Sequence, residues 1–255
     1  MDTSQTHGNL PILHTVPGKP EVSYGRARDG EPHFWAEVHR LLDSGAKRIC
    51  DVGGGAKPIL SHKVIDTRSL DYTVLDVSRE QLDEAVGYRT FQASILDELR
   101  IDELVSEGGR FDGVVSRWTA EHIPDGRGFH KQVLRLLRPG GVAVHFFPTL
   151  YTLPFVANRL LGTKSSRAVL FRVDPNRVDK FPAYYSWCRG PSASQVRRLQ
   201  GIGYEIDRYV GFFGHTFYQR IRPLHHVQEV LTRTLVDHPF APMTSFALVV
   251  LRRPN

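Results

Sequence analysis

Sulfur is scarce in this 255-residue chain, which has two methionines and two cysteines, Cys50 and Cys188. Cys50 lies inside a short apolar run, Ile49 to Val52, that reads as a buried strand. A buried thiol is therefore expected rather than a disulfide, which excludes a disulfide-stapled scaffold and fits a reducing compartment. No stretch of about 18 uninterrupted apolar residues occurs, so no membrane-spanning helix is expected. Residues 1–19 are polar, are broken by Pro11 and Pro17, and lack a basic stretch followed by an apolar core, so no signal peptide is expected. The location these absences suggest is cytoplasmic, with peripheral contact at a membrane left open. No internal repeat is present. Apolar content of 41% and charged content of 24% are those of an ordinary globular protein, and the length suits one domain.

Acidic residues are nearly missing from one segment. Between Arg159 and Arg198 nine basic residues face only Asp174 and Asp179, which accounts for the whole net charge of +6. Phe171, Phe181, Tyr184, Tyr185 and Trp187 are interleaved with them. Such a patch suits an anionic surface, a lipid-linked acceptor or single-stranded RNA, or it is a solvated basic face.

What the chain does have is an organising stretch, Ile49-Cys50-Asp51-Val52-Gly53-Gly54-Gly55, a strand that stops at three consecutive glycines. The residues after the turn are expected to be helical, a geometry that brings backbone N–H groups to a ligand. Around it, strand and helix patterns alternate. Strands are expected at Leu70–Val77, Tyr88–Ala93, Phe111–Ser116, Val142–Phe147, Tyr204–Val210 and Phe246–Leu251. Helices are expected from Glu31 and at Glu80–Val86, Leu96–Glu107, Gly128–Leu137, Ser194–Gln200 and Val227–Val236. The fold class that follows is α/β, a doubly wound and mostly parallel seven-stranded sheet. The last strand is expected as an antiparallel edge. Residues 1–30 read as an irregular arm, and residues 31–255 as a single domain. The roughly 45 residues between strands five and six exceed what a crossover needs, so about 149–190 are expected to form a cap over the carboxyl edge of the sheet.

Four separated motifs together carry a resemblance. Asp51-Val-Gly-Gly-Gly, Asp76 at the end of the second strand, Phe111-Asp112-Gly-Val-Val-Ser, and Leu136-Leu-Arg-Pro-Gly-Gly before the fifth strand resemble those of class I, Rossmann-like S-adenosylmethionine (SAM)-dependent methyltransferases, the broad group that includes ubiquinone-pathway enzymes. The likeness covers about residues 45–148. It implies SAM as cofactor, with its methionine end over Asp51, Gly53, Gly54 and Gly55, its ribose on Asp76 beside Val77, and its adenine beside Ser94 and Ile95. Ser116 and Trp118, at the end of the fourth strand, complete the expected cofactor set. Two positions depart from the family pattern: Lys57 stands where a third glycine is frequent, and Ser94 where an aspartate commonly meets the adenine amino group. Adenine contact is then open to Ser94, the backbone near Ile95, or Asp97. A dinucleotide enzyme would share the glycine turn and the acid, but not the Arg-Pro-Gly-Gly turn.

Methyl transfer requires alignment of donor and acceptor, and a base where the acceptor proton is weakly acidic. Two histidines are candidates. His122, in Ala120-Glu121-His122-Ile123-Pro124-Asp125, resembles the Glu-His segment of ubiquinone-pathway O-methyltransferases. Relatives with a further glutamate three residues before that segment bind a divalent metal there; Trp118 stands at that position here, so no metal is expected. His215 lies past the sixth strand among Phe212, Phe213, Phe217 and Tyr218. His145, inside the fifth strand, is expected to pack in the core. Tyr151, Tyr184, Tyr185 and Tyr218 are the candidate acceptor contacts. The expected reaction is SAM-dependent methylation of a hydroxyl on a small or medium acceptor such as a sugar, glycolipid or secondary metabolite. The alternatives are N- or C-methylation of a small molecule, RNA methylation through residues 159–198, or SAM binding without catalysis.

Overall fold

The computed structural model describes residues 13–150, 182–215, 219 and 222–255. Nine strands form one sheet: β1 (His14–Val16), β2 (Lys19–Arg26), β3 (Arg48–Val52), β4 (Asp71–Asp76), β5 (Arg89–Gln92), β6 (Phe111–Arg117), β7 (Leu137–Pro148), β8 (Glu205–Phe213) and β9 (Phe246–Arg252). Among the described residues seven α-helices accompany them: α1 (Gly30–Asp43), α2 (His62–Arg68), α3 (Arg79–Asp83), α4 (Glu98–Gly108), α5 (Gly126–Leu136), α6 (Ala193–Gln200) and α7 (Arg222–Asp237). The strand order is β1-β2-β8-β9-β7-β6-β3-β4-β5.

Seven of these strands are the seven read from the sequence pattern, most within one or two residues of their expected ends. The expected sheet of seven is nevertheless short by two. Residues 14–26, read as part of an irregular arm, supply β1 and β2, and β2 runs parallel to β8 from Val22 beside Tyr209 to Arg26 beside Phe213. Val22 and Tyr24 are buried there with Phe213 and Leu235 of α7, and the rings of Tyr24 and Phe213 stack at 5.3 Å. Pro17, Gly18 and Pro20 hide this hairpin from a periodicity reading, because they break the alternation in which only Val22 and Tyr24 are fully buried apolar positions.

The last strand also lies elsewhere than expected. β9 is antiparallel, but it is inserted between β7 and β8 and pairs with both, so the sheet edges are β1 and β5. Six of its seven residues are buried, as an interior strand requires.

The sheet is covered on both faces, and side-chain parity along each strand decides which core a residue joins. Cys50, Val114, Ala143 and Val249 face α4 and α5, where Ile101, Leu104, Phe129, Val133 and Leu136 complete one core. Their neighbours Ile49, Val115, Val144 and Leu248 face α1, packing on Phe34, Val38, Leu41 and Leu42. Each buried valine, leucine, isoleucine or phenylalanine among them contributes about 1.5–3 kcal/mol. Both cysteines are free and buried.

Asp112, the acid of the fourth-strand motif, is a structural tie. Its Oδ2 accepts the N–H groups of Lys47 and Arg48, both at 2.8 Å, and its Oδ1 pairs with Arg138; the Arg-Pro-Gly-Gly run expected as a turn is the first part of β7, which starts at Leu137 directly after α5. Asp112 thereby aligns the starts of β3, β6 and β7. Among the described residues no helix is long and apolar enough to cross a membrane.

Candidate functional site

A cavity of about 780 Å³ opens at the carboxyl ends of β3, β4, β5 and β6. This is the edge at which open parallel sheets receive ligands. Asp51 and Val52 end β3, and the loop Gly53-Gly54-Gly55-Ala56-Lys57 forms one wall. Leu75, Asp76, Val77 and Gln81 follow from β4, and Ala93, Ser94, Ile95 and Leu96 from the residues after β5. Arg117, Trp118, Thr119 and His122 close the side at β6, joined by Pro182 and Tyr184.

The glycine loop is shaped by what lies beneath it. Gly53 has φ +77°, and a Cβ there would come within 2.3 Å of the Thr119 side chain, so any other residue would be strained and would clash. Its N–H donates to Leu75 O at 2.7 Å, closing the turn against β4. A helix does not follow at once: α2 begins only at His62, and its Ser61 N-cap carries no capping side-chain bond. The expected helix start at the loop is thus displaced by several residues, and the ligand-facing wall is turn backbone rather than a helix terminus. Pro58 and the pinning of Ile59 described next are the local causes.

Asp51 is fully buried, and its Oδ2 accepts the Ile59 N–H at 2.8 Å and the Tyr72 hydroxyl at 2.5 Å. Tyr72 in turn accepts from the Leu60 N–H at 3.2 Å. The carboxylate therefore holds the far end of the loop in place. Burial pushes its pKa up to about 6, against the hydrogen bonds and Arg117, which favour the charged form. Its Oδ1 is buried with no hydrogen-bond partner among the described residues, an acceptor held ready beside the cavity. Asp76 accepts the Ser78 N–H at 2.9 Å through Oδ1, and burial raises its pKa as well.

On the opposite wall Trp118 has φ +59°, a left-handed conformation rare for a large residue. Its ring meets Phe146 and Phe246 edge-on, at 5.7 and 5.2 Å, and its indole N–H donates to Glu31 Oε1 at 3.3 Å. His122 Nδ1 is 3.2 Å from Pro182 O, and its Nε2 is 3.8 Å from Glu121 Oε1. Glu121 itself is 4% exposed, and burial pushes its pKa up to about 8. Its backbone oxygen accepts the N–H groups of Tyr184 and Tyr185, at 2.7 and 3.0 Å, tying the segment after residue 181 to the β6 turn.

The family described as Methyltransferase domain matches residues 25–184, more than half of the chain and all of the cavity described above. The chain belongs to this family. Two curated relatives are similar over shorter stretches, both named ubiquinone biosynthesis O-methyltransferase. The one from Psychrobacter cryohalolentis is 34% identical over 117 residues, covering 43% of this chain and 44% of the relative. That from Psychrobacter arcticus is 34% identical over 104 residues, covering 38% and 39%. The matched stretch therefore spans under half the length of these curated relatives. Among solved structures, a SAM-dependent methyltransferase from Archaeoglobus fulgidus shares the fold with a TM-score of 0.51 at 15% identity, over 88% of this chain and 94% of that one.

S-adenosylmethionine is the cofactor of this methyltransferase, and the cavity's residues fit it. A glycine turn that admits no side chain lies beside an unpartnered buried acceptor at one end, and a half-buried carboxylate stands on the next strand. Asp51, Gly53, Gly54, Gly55, Asp76, Val77, Ser94, Ile95 and Trp118 of the expected set all line this one cavity, as do His122 and Tyr184.

Several expected residues do not reach it. Ser116 is 1% exposed and its hydroxyl lies 2.7 Å from His145 Nδ1, on the face of β6 that packs toward α5, so it is a core pair and not a cavity group. His145, fully buried, keeps the core role expected for it, and burial holds its pKa well below the usual imidazole range. His215 is outside the cavity lining: it is 6% exposed past β8, where Gly214 packs on Thr232 of α7, and burial pushes its pKa down to about 4. Tyr185 packs against the core with Trp187 instead of lining the cavity. Asp97 caps α4 by accepting the Arg100 N–H at 3.2 Å and is not in the lining. Tyr151 and Tyr218, most of the cap and most of the basic segment lie outside the described residues. Within the described part, Arg189 binds backbone oxygens of Tyr185 and Cys188 at 2.7 and 3.0 Å, so this cation holds a loop. Among the described residues no group of three or more His, Cys, Asp or Glu side chains could hold a metal ion.

Sequence reasoning missed Arg117, Thr119 and Glu31. Arg117 ends the fourth strand and Thr119 lies two residues on, where position alone marks them; Glu31 reaches the site only through the packing of α1.

Proposed function

We propose that this methyltransferase acts on a hydroxyl of a small or medium-sized acceptor, such as a sugar, glycolipid or secondary metabolite, with His122 as general base. The observation that carries this reading is the seat of His122 on the cavity wall with Nδ1 3.2 Å from Pro182 O. A carbonyl oxygen only accepts, so Nδ1 is the donor and Nε2 is the nitrogen that bears the lone pair. The curated relatives, which are O-methyltransferases by name, support an oxygen acceptor.

In this reading the glycine loop and Asp51 hold the amino-acid end of SAM, Asp76 accepts from its ribose hydroxyls, and Ser94 and Ile95 border its adenine. Bound SAM supplies a methyl group activated by its sulfonium. The walls at Trp118 and Tyr184 orient the acceptor, and such alignment is worth roughly 7–11 kcal/mol in well-oriented systems. His122 takes the hydroxyl proton at Nε2, adding about 10²–10⁴-fold.

His122→Ala is expected to lower turnover of a hydroxyl acceptor by about 10²-fold or more while S-adenosylhomocysteine still binds. Full turnover of the variant across about pH 6–9, the range a general base would shape, would show that alignment alone suffices. A product methylated at nitrogen or carbon would replace the hydroxyl reading.

A further inference from the structure

One cation in the cavity wall has no part in the reading above. Arg117 ends β6, lines the cavity, and keeps its side chain 27% exposed. Its position is built by α1. Nη1 donates to Glu31 Oε2 at 3.3 Å, and the guanidinium carbon stands 5.5 Å from the centre of the Trp35 ring. The second oxygen of Glu31 accepts the Trp118 indole N–H. One carboxylate in the first turn of α1 therefore holds two consecutive residues, just where the chain passes through the left-handed Trp118.

Arg117 also acts on Asp51, favouring its charged form across the cavity end that carries the glycine loop. Thr119, two residues on, is the side chain beneath Gly53. The loop end of the cavity thus holds a cation and an anion in one lining, the anion with a buried oxygen that has no hydrogen-bond partner among the described residues. Opposite charges so placed match a zwitterion better than either charge alone. The amino-acid end of the cofactor is such a group.

We propose that Arg117 receives the carboxylate of the cofactor's amino-acid end, braced for that role by Glu31 and Trp35. The assignment rests on the SAM reading of the cavity. A guanidinium has five N–H donors in a planar fork, of which Glu31 engages one, and the fork matches a carboxylate in two parallel bonds. Lys57 is the other Lys or Arg among the described residues of the lining, but it is exposed on the loop, and no described residue of a second element braces it.

Calorimetry with two ligands tests the assignment: S-adenosylhomocysteine, and its decarboxylated analogue S-adenosyl-3-thiopropylamine, which differs only by that carboxylate. The wild-type chain is expected to prefer S-adenosylhomocysteine by about 10–100-fold, the range of a charge-assisted hydrogen-bonded pair. In Arg117→Ala the preference is expected to collapse to about threefold or less, with affinity for the analogue nearly retained, because only the carboxylate contact is lost. Arg117→Lys should restore part of the ratio. A preference that survives Arg117→Ala, or that collapses only in Lys57→Ala, overturns the assignment. Equal binding of both ligands by the wild type overturns it too, and leaves the cofactor reading intact. A wild type that binds neither ligand removes the cofactor reading and the assignment together. Thermal unfolding of the free variants separates misfolding from ligand loss; if Arg117→Ala does not fold, Arg117→Gln reads the same ratio.

Discussion

Glu121 Oε1 lies 3.8 Å from His122 Nε2, yet the two neighbours face different media: Glu121 is 4% exposed against the core, while His122 lines the cavity. The 3₁₀ turn Ala120–His122 makes this division, because successive side chains in it point to different sides of the chain. An acid placed this way keeps its proton near neutral pH, and burial is the cause.

Stability should therefore fall as pH rises. The ordinary glutamate value of 4.5 applies when the chain is unfolded, and about 8 when it is folded. Below the first value both states hold the proton and nothing is lost. Between the two the folded state binds more protons, so stability declines through that window, by up to about 1.4 kcal/mol per pH unit, and the loss is complete above the second value. Glu121→Gln removes this slope. Urea unfolding at a series of pH values is expected to show the variant gaining on the wild type as pH rises; parallel curves would refute it.

Gly53→Ala should damage both fold and site. The φ of +77° disfavours any side chain by about 1–2 kcal/mol, and the new Cβ would meet Thr119 at 2.3 Å. A lower Tm and a loss of S-adenosylhomocysteine affinity are expected together. Adding Thr119→Gly relieves the clash and leaves the backbone strain, so the double variant should recover part of the Tm. An unaltered Tm in the single variant would contradict this account of the loop.

Asp76→Ala should weaken S-adenosylhomocysteine binding by about 10–100-fold, since two ribose hydroxyls would lose a charged acceptor. The Ser78 N–H, which Asp76 also accepts at 2.9 Å, would lose its partner, so Asp76→Asn is the control that keeps an acceptor in place. Unchanged affinity by calorimetry in both variants would remove Asp76 from the cofactor site.

Much of this architecture was legible because its signals are local. Val114 and Val115 at the centre of a strand, or Leu134 and Leu136 in an amphipathic helix, declare their element within a few residues. The three glycines after Asp51 and the aspartate ending the next strand mark the cofactor end for the same reason. β2 was not legible, because Pro17, Gly18 and Pro20 break the local hairpin pattern with β1, and its other partner, β8, lies nearly two hundred residues later. Ser116 and Arg117 show the limit most sharply. Both end the fourth strand, and a one-residue difference in parity sends Ser116 to His145 in the core and Arg117 to the cavity.

From α1 onward the sequence by itself determined the order of strands and helices, the glycine turn, and the acids beside it, since turn chemistry and periodicity act over neighbouring residues. Only the tertiary structure decided which strands lie side by side, that β9 enters between β7 and β8, and that Glu31 of α1 braces Arg117 at the loop. These are contacts between distant parts of the chain, set by which faces find each other when the cores close, and no local pattern specifies them.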